Sequence, residues 1–263
     1  MYQESDHTFV VCAYGESPYL EDCVQSLLAQ TRPTNILVAT ATPNDHIRDI
    51  ASRHDLPLHV NPSQPGIGSD WNYAISRATT PLVTVAHQDD IYLPHYAERA
   101  LQLMGQAERP LIFFTDYAEL RGDEVVSDNR LLQIKRLLLT PLRKVGSSSS
   151  RKVKRQVISL GSAICCPSVT LNMDLLPNPP FSQTLRCDLD WDAWERFSRM
   201  TGSFVLANEI LMYHRIHEES ETTRLIRNNT RTAEDLMMLE RFWPKPVAQL
   251  VNVYYSRGQK SNG

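Results

Sequence analysis

The sequence predicts an α/β fold in which flanking helices cover a mixed, mostly parallel central sheet. Short apolar segments of strand type alternate four times with helical segments over residues 8–86, an alternation typical of parallel strands joined by helical crossovers. The apolar segments are rich in Val, Ile and Leu, which favours strands buried on both faces. We therefore expect one domain over residues 1–222 and a C-terminal helical tail at 223–263 that packs on it.

The individual elements follow from periodicity and from the residues that begin helices. Ser17 is the expected N-cap of the first helix, because Pro18 suits its first position. In the first half, strands are predicted at 8–13, 36–39, 58–60 and 82–86, and helices at 19–30, 43–53 and 70–78. In the second half, the predictions are a helix at 96–104, a strand at 111–115, a hairpin at 119–128, strand-like sequence at 157–166, a short helix or turn at 171–176, a helix from 188, a strand at 203–207 and a closing helix at 230–242.

Composition excludes several classes of protein. The 263 residues are 42% hydrophobic and 22% charged, as in ordinary globular proteins, and their net charge of −3 argues against nucleic acid as a partner. Five cysteines without regular spacing argue against a disulfide framework or a zinc site, and we expect the adjacent Cys165 and Cys166 to be buried, reduced thiols. Neither a signal peptide nor a membrane span is recognisable. The expected location is therefore the cytoplasm, and attachment to the inner face of the plasma membrane stays open.

The predicted strand at 82–86 ends abruptly in polar residues, His87, Gln88, Asp89 and Asp90. Ligands of open α/β sheets bind outside the carboxyl ends of the strands. Adjacent Asp oxygens suit a hard divalent cation that also holds a phosphate. The alternative is structural: Asp90 caps a helix that begins near Pro94, and Asp89 is solvated.

Two further clusters contain groups that can do chemistry. Asp188, Asp190 and Asp192 surround Trp191, and their mutual repulsion raises a pKa toward that of a general base; the alternative is N-capping of a helix. Residues 213–217, with Ser220 and Thr222, combine Arg, His and hydroxyl groups that suit a diphosphate or a metal-bound phosphate. A solvated loop is the alternative there.

A glycine-containing loop is the weakest of these signals. Gly66 and Gly68 precede a helix that contains Asn72. Glycines allow the backbone to approach a ligand, but the match to a dinucleotide fingerprint is poor.

A basic segment at about 130–155 interrupts the domain. It has no acidic residue, and apolar residues are interleaved among its cations. It is either a mobile surface loop with a solvated basic face, a flap over an anionic ligand, or a strip that lies on anionic lipid. The cations are Arg130, Lys135, Arg136, Arg143, Lys144, Arg151, Lys152, Lys154 and Arg155.

Taken in chain order, these motifs resemble those of the family 2 glycosyltransferases, which have the GT-A fold. The resemblance covers roughly residues 8–222. The stretches that carry it are the first strand and helix at 10–31, the glycine loop at 66–72, His87-Gln88-Asp89-Asp90 as the metal motif with His87 in place of its first Asp, Leu189-Asp190-Trp191 at the family's Glu-Asp-Trp, and Arg215-Ile216-His217 as the basic loop near the donor phosphates.

The resemblance implies inverting transfer of a sugar from a nucleotide-diphosphate donor, UDP- or dTDP-linked, to a glycan or a lipid-linked acceptor of the cell envelope. Asp190 would take the proton of the acceptor hydroxyl, with Trp191 and Asp188 on the acceptor side. Asp89 and His217 would hold Mn²⁺ or Mg²⁺ against the leaving diphosphate. The residues implied in nucleotide-sugar binding are Ala13, Tyr14, Glu16, Thr40, Gly66, Asn72, Gln88, Asp90 and Arg215.

Two positions depart from the family pattern. The family has an Asp pair after the second strand, whereas residues 39–43 contain no carboxylate, so base recognition would fall to Thr40 and backbone groups. Leu189 replaces the Glu before the catalytic Asp, which leaves the base open between Asp190 and Asp188, with Asp190 favoured by position. Two alternatives to an active transferase therefore remain: a protein that binds a nucleotide sugar without transferring it, and another nucleotide-using α/β enzyme such as a nucleotidyltransferase.

Overall fold

The computed structural model describes residues 1–63, 66–217 and 230–260. Within these ranges ten strands form one sheet. They are β1 His7–Ala13, β2 Asn35–Thr40, β3 Leu58–Val60, β4 Leu82–His87, β5 Ile91–Tyr92, β6 Pro110–Arg121, β7 Glu124–Val126, β8 Ser147–Ser148, β9 Val169–Asn172 and β10 Ser203–Ile216. Their order is β3-β2-β1-β4-β9-β6-β10-β5, with β7 beside β6 and β8 beside β10.

Helices cover both faces of this sheet. Along β1, Val10 packs into one core while Phe9 and Val11 pack into the other. The predicted α/β class with a mostly parallel sheet is therefore confirmed. The helices are α1 Leu20–Leu28, α2 Asp45–Arg53, α3 Ile67–Arg77, α4 Tyr96–Gln106, α5 Arg130–Leu138, α6 Thr140–Arg143, α7 Arg151–Gln156, α8 Leu189–Ser198, α9 Thr230–Glu240 and α10 Lys245–Lys260.

The direction of the strands decides where polar residues meet. β1 pairs in parallel with β2 and with β4, and β6 pairs in parallel with β10. The strand β9 lies between β4 and β6 and is antiparallel to both, so β4, β6 and β10 run in one direction. The carboxyl ends of β1, β4 and β10 consequently lie along the same edge of the sheet.

Three local predictions are wrong. The apolar run at 157–166 is not a strand: Val157, Ile158 and Ile164 are buried in turns and loops, because a short apolar run has no period that separates a strand from a buried loop. The strand of this region is β9, which includes the start of the segment predicted as a helix or turn. Ser17 is not the N-cap of α1. That helix begins after Tyr19, whose backbone is already helical, with φ −99° and ψ −10°.

The basic segment folds into α5, α6 and α7 around the short strand β8, rather than forming a loop. Its helices begin where side chains cap them: the Asn129 side chain accepts a hydrogen bond from Leu132 N at 2.9 Å, and the Ser150 side chain caps α7. Several of its cations bind partners inside the protein. Arg136 and Arg143 both contact Asp116, at 2.8 and 3.0 Å.

Lys154 is the cation of this segment that the core encloses completely. It is 0% exposed, and its ammonium group donates to the carbonyls of Met200 and Gly202 at 2.6 Å each. Burial lowers its pKa to about 8. These two bonds join α7 to the turn that precedes β10.

The C-terminal helices α9 and α10 pack against each other and contribute side chains to the core. Met238, Leu239 and Ala248 are buried in the core that also contains Trp191. The Arg241 guanidinium donates to Asp192 Oδ1 at 2.6 Å. A division of the chain at residue 222 stays a prediction.

Gly68 is one of the glycines that close packing requires. It lies in the first turn of α3, and a Cβ there would meet Ser182 O at 2.5 Å and Leu189 Cδ2 at 2.7 Å. The lack of a side chain allows α3 to lie directly against the segment that leads into α8.

We expect Gly68→Ala to lower the free energy of unfolding by about 1–3 kcal/mol, because one of the colliding atoms belongs to the backbone. Gly105→Ala is the matched control. It also lies in a helix, its added Cβ would meet atoms no nearer than 3.5 Å, and it should gain about 0.4–1 kcal/mol. Urea denaturation of both variants measures the difference; equal stabilities would contradict the close packing of α3.

Candidate active site

Three acidic or basic side chains meet at the carboxyl end of β4. His87, Asp89 and Asp90 each offer one ligand atom, and these atoms lie within 4.8 Å of one another. Two of their buried atoms, His87 Nε2 and Asp90 Oδ2, have no hydrogen-bond partner in the described part of the chain. An unpartnered buried carboxylate oxygen is costly. One imidazole nitrogen and two carboxylates suit a divalent cation such as Mn²⁺, so these residues fit the metal that the motif implies.

The strand β10 holds the two acidic residues in place. Asp90 Oδ1 pairs with His214 Nδ1 at 2.9 Å and accepts from Arg215 N at 3.0 Å. Arg215 Nε donates to the carbonyl of Asp89 at 2.9 Å, and His217 Nε2 lies 2.9 Å from Asp89 Oδ2. Asp90 therefore does not cap a helix: α4 begins after His95, and Asp90 is 0% exposed.

These contacts set the protonation of the cluster. Burial alone would raise the pKa of Asp89, but the hydrogen bond from His217 and the charges of His87 and His214 outweigh it, so the pKa is lowered. Burial lowers the pKa of His87 despite the nearby Asp90 and Asp89. For His214, burial acts downward, but the pairing with Asp90 wins and the pKa is raised. Asp89 is thus ionised and His87 neutral near pH 7, the forms that bind a metal.

Asp190 lies in the first turn of α8 and contributes a fourth ionisable group. Its Oδ1 accepts from Trp191 N at 2.7 Å and its Oδ2 from the Ser162 hydroxyl at 3.2 Å. Burial raises the pKa of its carboxyl, against the lowering effect of these bonds and of the cations Arg231 and Lys135. Asp190 is also close enough to His87 to act on the pKa of that imidazole. A carboxylate with a raised pKa beside a divalent-cation site is suited to proton transfer.

The comparison with known proteins agrees with this geometry. The model of the family Glycosyl transferase family 2 matches residues 8–154, more than half of the chain and the whole of the segment that forms β1 to β6. The chain belongs to glycosyl transferase family 2. An uncharacterized glycosyltransferase of Rickettsia typhi is 23% identical over 238 residues, which are 87% of this chain and 69% of that protein.

Solved structures of similar fold agree with this assignment. A mannosyltransferase of Pyrobaculum calidifontis, in complex with GDP-Man and Mn²⁺, has a TM-score of 0.65 at 14% identity, over 100% of this chain and 76% of that one. S. aureus TarS with UDP-GlcNAc scores 0.60 at 13% identity, over 94% and 70%. Glucosyl-3-phosphoglycerate synthase of Mycobacterium tuberculosis, with Mn²⁺ and UDP-glucose, scores 0.57 at 15% identity, over 90% and 79%. The chain is thus a glycosyltransferase with the GT-A fold.

Several residues predicted to bind the nucleotide sugar are buried in this glycosyltransferase. Ala13, Thr40, Asp90 and Arg215 are 4%, 2%, 0% and 8% exposed. Ala13 and Thr40 end β1 and β2, Asp90 lies in the turn after β4, and Arg215 lies near the end of β10. The Thr40 hydroxyl accepts from Thr42 N at 3.0 Å. Contact of these four residues with a nucleotide stays a prediction, and their burial leaves little side-chain surface for it.

The other predicted binding residues divide into two groups. Tyr14 is 58% exposed, and Glu16 and Gly66 are also exposed; their contact with a nucleotide stays a prediction. The Gln88 amide accepts from Tyr14 N at 2.8 Å and donates to Tyr14 O at 3.0 Å. The Asn72 amide makes the same two bonds to the Phe181 backbone, at 2.8 and 3.1 Å. Both amides thus join separate segments of the chain through paired hydrogen bonds, which occupy their donor and acceptor groups.

The two residues predicted on the acceptor side, Trp191 and Asp188, are both buried, and their contact with an acceptor stays a prediction. Trp191 is fully buried, and its indole donates to Ile158 O at 2.8 Å. Asp188 is 2% exposed and lies beneath α9, where burial and the charge of Asp235 raise its pKa to about 9. The choice of base between Asp190 and Asp188 stays a prediction. Leu189 is also buried, against Gly68, which accounts for an apolar residue at this position.

Sequence reasoning missed three polar residues of this region. Ser162 binds Asp190, Lys135 acts on the pKa of Asp190, and Glu234 binds the backbone before α8. Ser162 and Glu234 have no local signal, since their partners are distant in the chain. Lys135 was one of the cations of the basic segment, and its ammonium group donates to the Tyr117 hydroxyl at 2.8 Å. Ser220 and Thr222, predicted with the basic loop, lie outside the described residues.

We expect Ser162→Ala to raise the pKa of Asp190 further, because a hydrogen bond to the ionised carboxylate lowers that pKa and the variant lacks it. Titration of the Asp190 carboxyl carbon by NMR measures the shift. Ser159→Ala is the control, since its hydroxyl donates only to Gln156 O in the described structure. An unchanged or lowered pKa in Ser162→Ala would contradict the role of this bond.

Proposed function

We propose that this glycosyltransferase moves a sugar from a nucleotide-diphosphate donor to a hydroxyl group of a glycan or lipid-linked acceptor, with inversion at the anomeric carbon. Two groups at one edge of the sheet carry the proposal. One is the cluster of His87, Asp89 and Asp90, which could hold a divalent cation, and the other is the Asp190 carboxyl, whose pKa is raised. The first suits a diphosphate, and the second suits deprotonation of a hydroxyl.

In this mechanism Asp190 accepts the proton of the acceptor hydroxyl. The oxygen then bonds to the anomeric carbon from the face opposite the diphosphate, and the electron pair of the breaking C–O bond leaves with the diphosphate. His87, Asp89 and Asp90, with His217 beside Asp89, would hold Mn²⁺ or Mg²⁺, which neutralises charge on the leaving diphosphate when bound. Burial raises the pKa of Asp190, which strengthens its carboxylate as a base.

A UDP- or dTDP-linked donor is the proposed substrate class. It is supported by the fold shared with structures that hold UDP-GlcNAc and UDP-glucose, although another of that fold holds GDP-Man. The loop after β2 contains no carboxylate, and the Thr42 hydroxyl accepts from Gly15 N at 2.8 Å. We infer that exposed Tyr14 and backbone groups of this loop contact the base.

We further propose that α5 to α7 bring the enzyme to a lipid surface on the cytoplasmic side. Leu137 is 70%, Val145 62% and Ile134 45% exposed, and the cations Arg130 and Lys144 are exposed near them. Apolar side chains beside cations favour an anionic bilayer surface. None of the helices in the described ranges has the length and apolarity of a membrane span.

A screen of nucleotide sugars, scored by release of the nucleotide diphosphate with and without Mn²⁺ or Mg²⁺, tests the enzymatic proposal. Asp190→Asn should lower turnover by about 10²-fold or more, because general-base catalysis contributes that much, while calorimetric donor binding is retained. Full turnover in Asp190→Asn would refute the assignment. Donor binding by the native protein without release would support the binding-only alternative, and diphosphate release from a nucleoside triphosphate would support a nucleotidyltransferase.

Co-sedimentation with phosphatidylcholine vesicles, with and without phosphatidylserine, tests the lipid proposal. Leu137→Ser should weaken binding to the anionic vesicles about tenfold, since it removes most of one apolar side chain's transfer free energy. Val125→Ser, on β7 and 44% exposed, is the control. Equal binding of native protein to both vesicle types, or no effect of Leu137→Ser, would exclude this surface as the contact.

A further inference from the structure

Glu234 on α9 binds the backbone that leads into α8. Its carboxylate accepts hydrogen bonds from three consecutive N–H groups. These are Arg186 N at 2.9 and 3.2 Å to its two oxygens, Cys187 N at 2.8 Å and Asp188 N at 3.1 Å. Because Glu234 follows these residues by 46 to 48 positions in the chain, the contact belongs to the tertiary structure.

The contact anchors the chain at the point where α8 begins. Asp188 is the N-cap residue, yet its own side chain makes no capping hydrogen bond. The positive end of a helix dipole attracts an anion. The Glu234 carboxylate places a negative charge at this end of α8 and accepts from the N–H groups of Asp188 and of the two residues before it. It does so from a separate helix, so the start of α8 is located relative to α9.

Asp190 follows this anchored segment directly. Only Leu189 separates it from Asp188. The helical hydrogen bond from Asp192 N to Asp188 O, at 2.8 Å, spans Asp190. Asp190 also has no charged hydrogen-bond partner among the described residues: its bonds come from the Trp191 backbone and the Ser162 hydroxyl. The position of its carboxylate therefore depends mainly on where the first turn of α8 lies.

We propose that Glu234 is a positioning residue for Asp190. By binding the N–H groups of residues 186–188, it fixes the position of the Asp190 carboxylate relative to His87, Asp89 and Asp90. This inference rests on the proposed function of Asp190. It adds a residue outside the part of the chain that the family model matches. It also gives α9 a role in catalysis besides that of covering α8.

Loss of Glu234 should affect the position of the base more than the folding of the chain. A displacement of about 1 Å at a reacting group can cost about 10²-fold in rate. The loss should therefore lower kcat by about 10- to 100-fold and leave the donor KM nearly unchanged, since Glu234 contacts none of the proposed donor-binding residues. Glu234→Gln keeps one acceptor oxygen and should recover part of the lost kcat.

The test compares Glu234→Ala, Glu234→Gln and the control Glu240→Ala, which alters an exposed acid on the same helix. Steady-state kinetics are combined with hydrogen exchange of residues 186–190 in the absence of substrate. We expect Glu234→Ala to speed exchange of the Arg186–Asp188 amides about tenfold, to lower kcat and to keep the donor KM. Glu234→Gln should lie between the native protein and Glu234→Ala, and Glu240→Ala should match the native protein.

The outcomes that contradict the inference are distinct from failure of the proposed function. Faster exchange with native kcat would show that the contact is structural only, and native exchange would show that the contact does not hold the turn. If Glu234→Ala fails to fold, Glu234→Gln decides, and a native kcat in that variant together with faster exchange overturns the proposal. A native protein that releases no nucleotide diphosphate from any donor would refute the proposed function, whereas the exchange experiment would still test the contact itself.

Discussion

The site depends on one buried carboxylate, that of Asp90, which joins the end of β4 to β10. A buried carboxylate is tolerated only when it is paired and hydrogen-bonded, and the His214 imidazole and the Arg215 N–H provide both. Because these bonds fix Asp90, the backbone of the neighbouring Asp89 is also fixed, with its carbonyl on Arg215 Nε. The arrangement of His87, Asp89 and Asp90 at the end of β4 therefore cannot form without β10, although 124 positions separate His214 from Asp90.

The second half of the molecule also depends on paired buried charges, here two acids of α8 that arginines from inside and outside the helix neutralise. Glu195 is bound by Arg155 of α7 and by Arg199, and Asp192 by Arg196 and by Arg241, which follows α9. The side chains of both acids are almost completely buried, with 3% and 6% exposed, so each needs these cations. These salt bridges hold α8 on two sides, in addition to the packing of Trp191 and Trp194. A rigid helix is a suitable support for a base.

Much of the fold could be predicted because its signals are local. The alternation of strand and helix up to β4 depends on periods of two and 3.6 residues, and the hairpin of β6 and β7 depends on a turn at Gly122. The strand β9 was not predicted, because its four residues are too few to show a recognisable period. The burial of Trp191 could not be predicted, because an aromatic residue beside an acid has the same sequence signature whether its indole is exposed or donates to Ile158 O. Glu234 could not be found at all, since a helical Glu is equally common on solvent-exposed faces.

The remaining question is why Asp190, among so many acids, is the one suited to proton transfer. Asp192 and Glu195 are tied to guanidinium groups, and Asp188 retains its proton near neutral pH, because its pKa is raised to about 9 by burial and by Asp235. Asp190 alone among these four is hydrogen-bonded only by neutral donors in the described structure. Burial therefore raises its pKa, against the lowering effects of Arg231 and Lys135. The salt bridges that hold α8 in place thus also occupy Asp192 and Glu195, which supports Asp190 as the base of the proposed transfer.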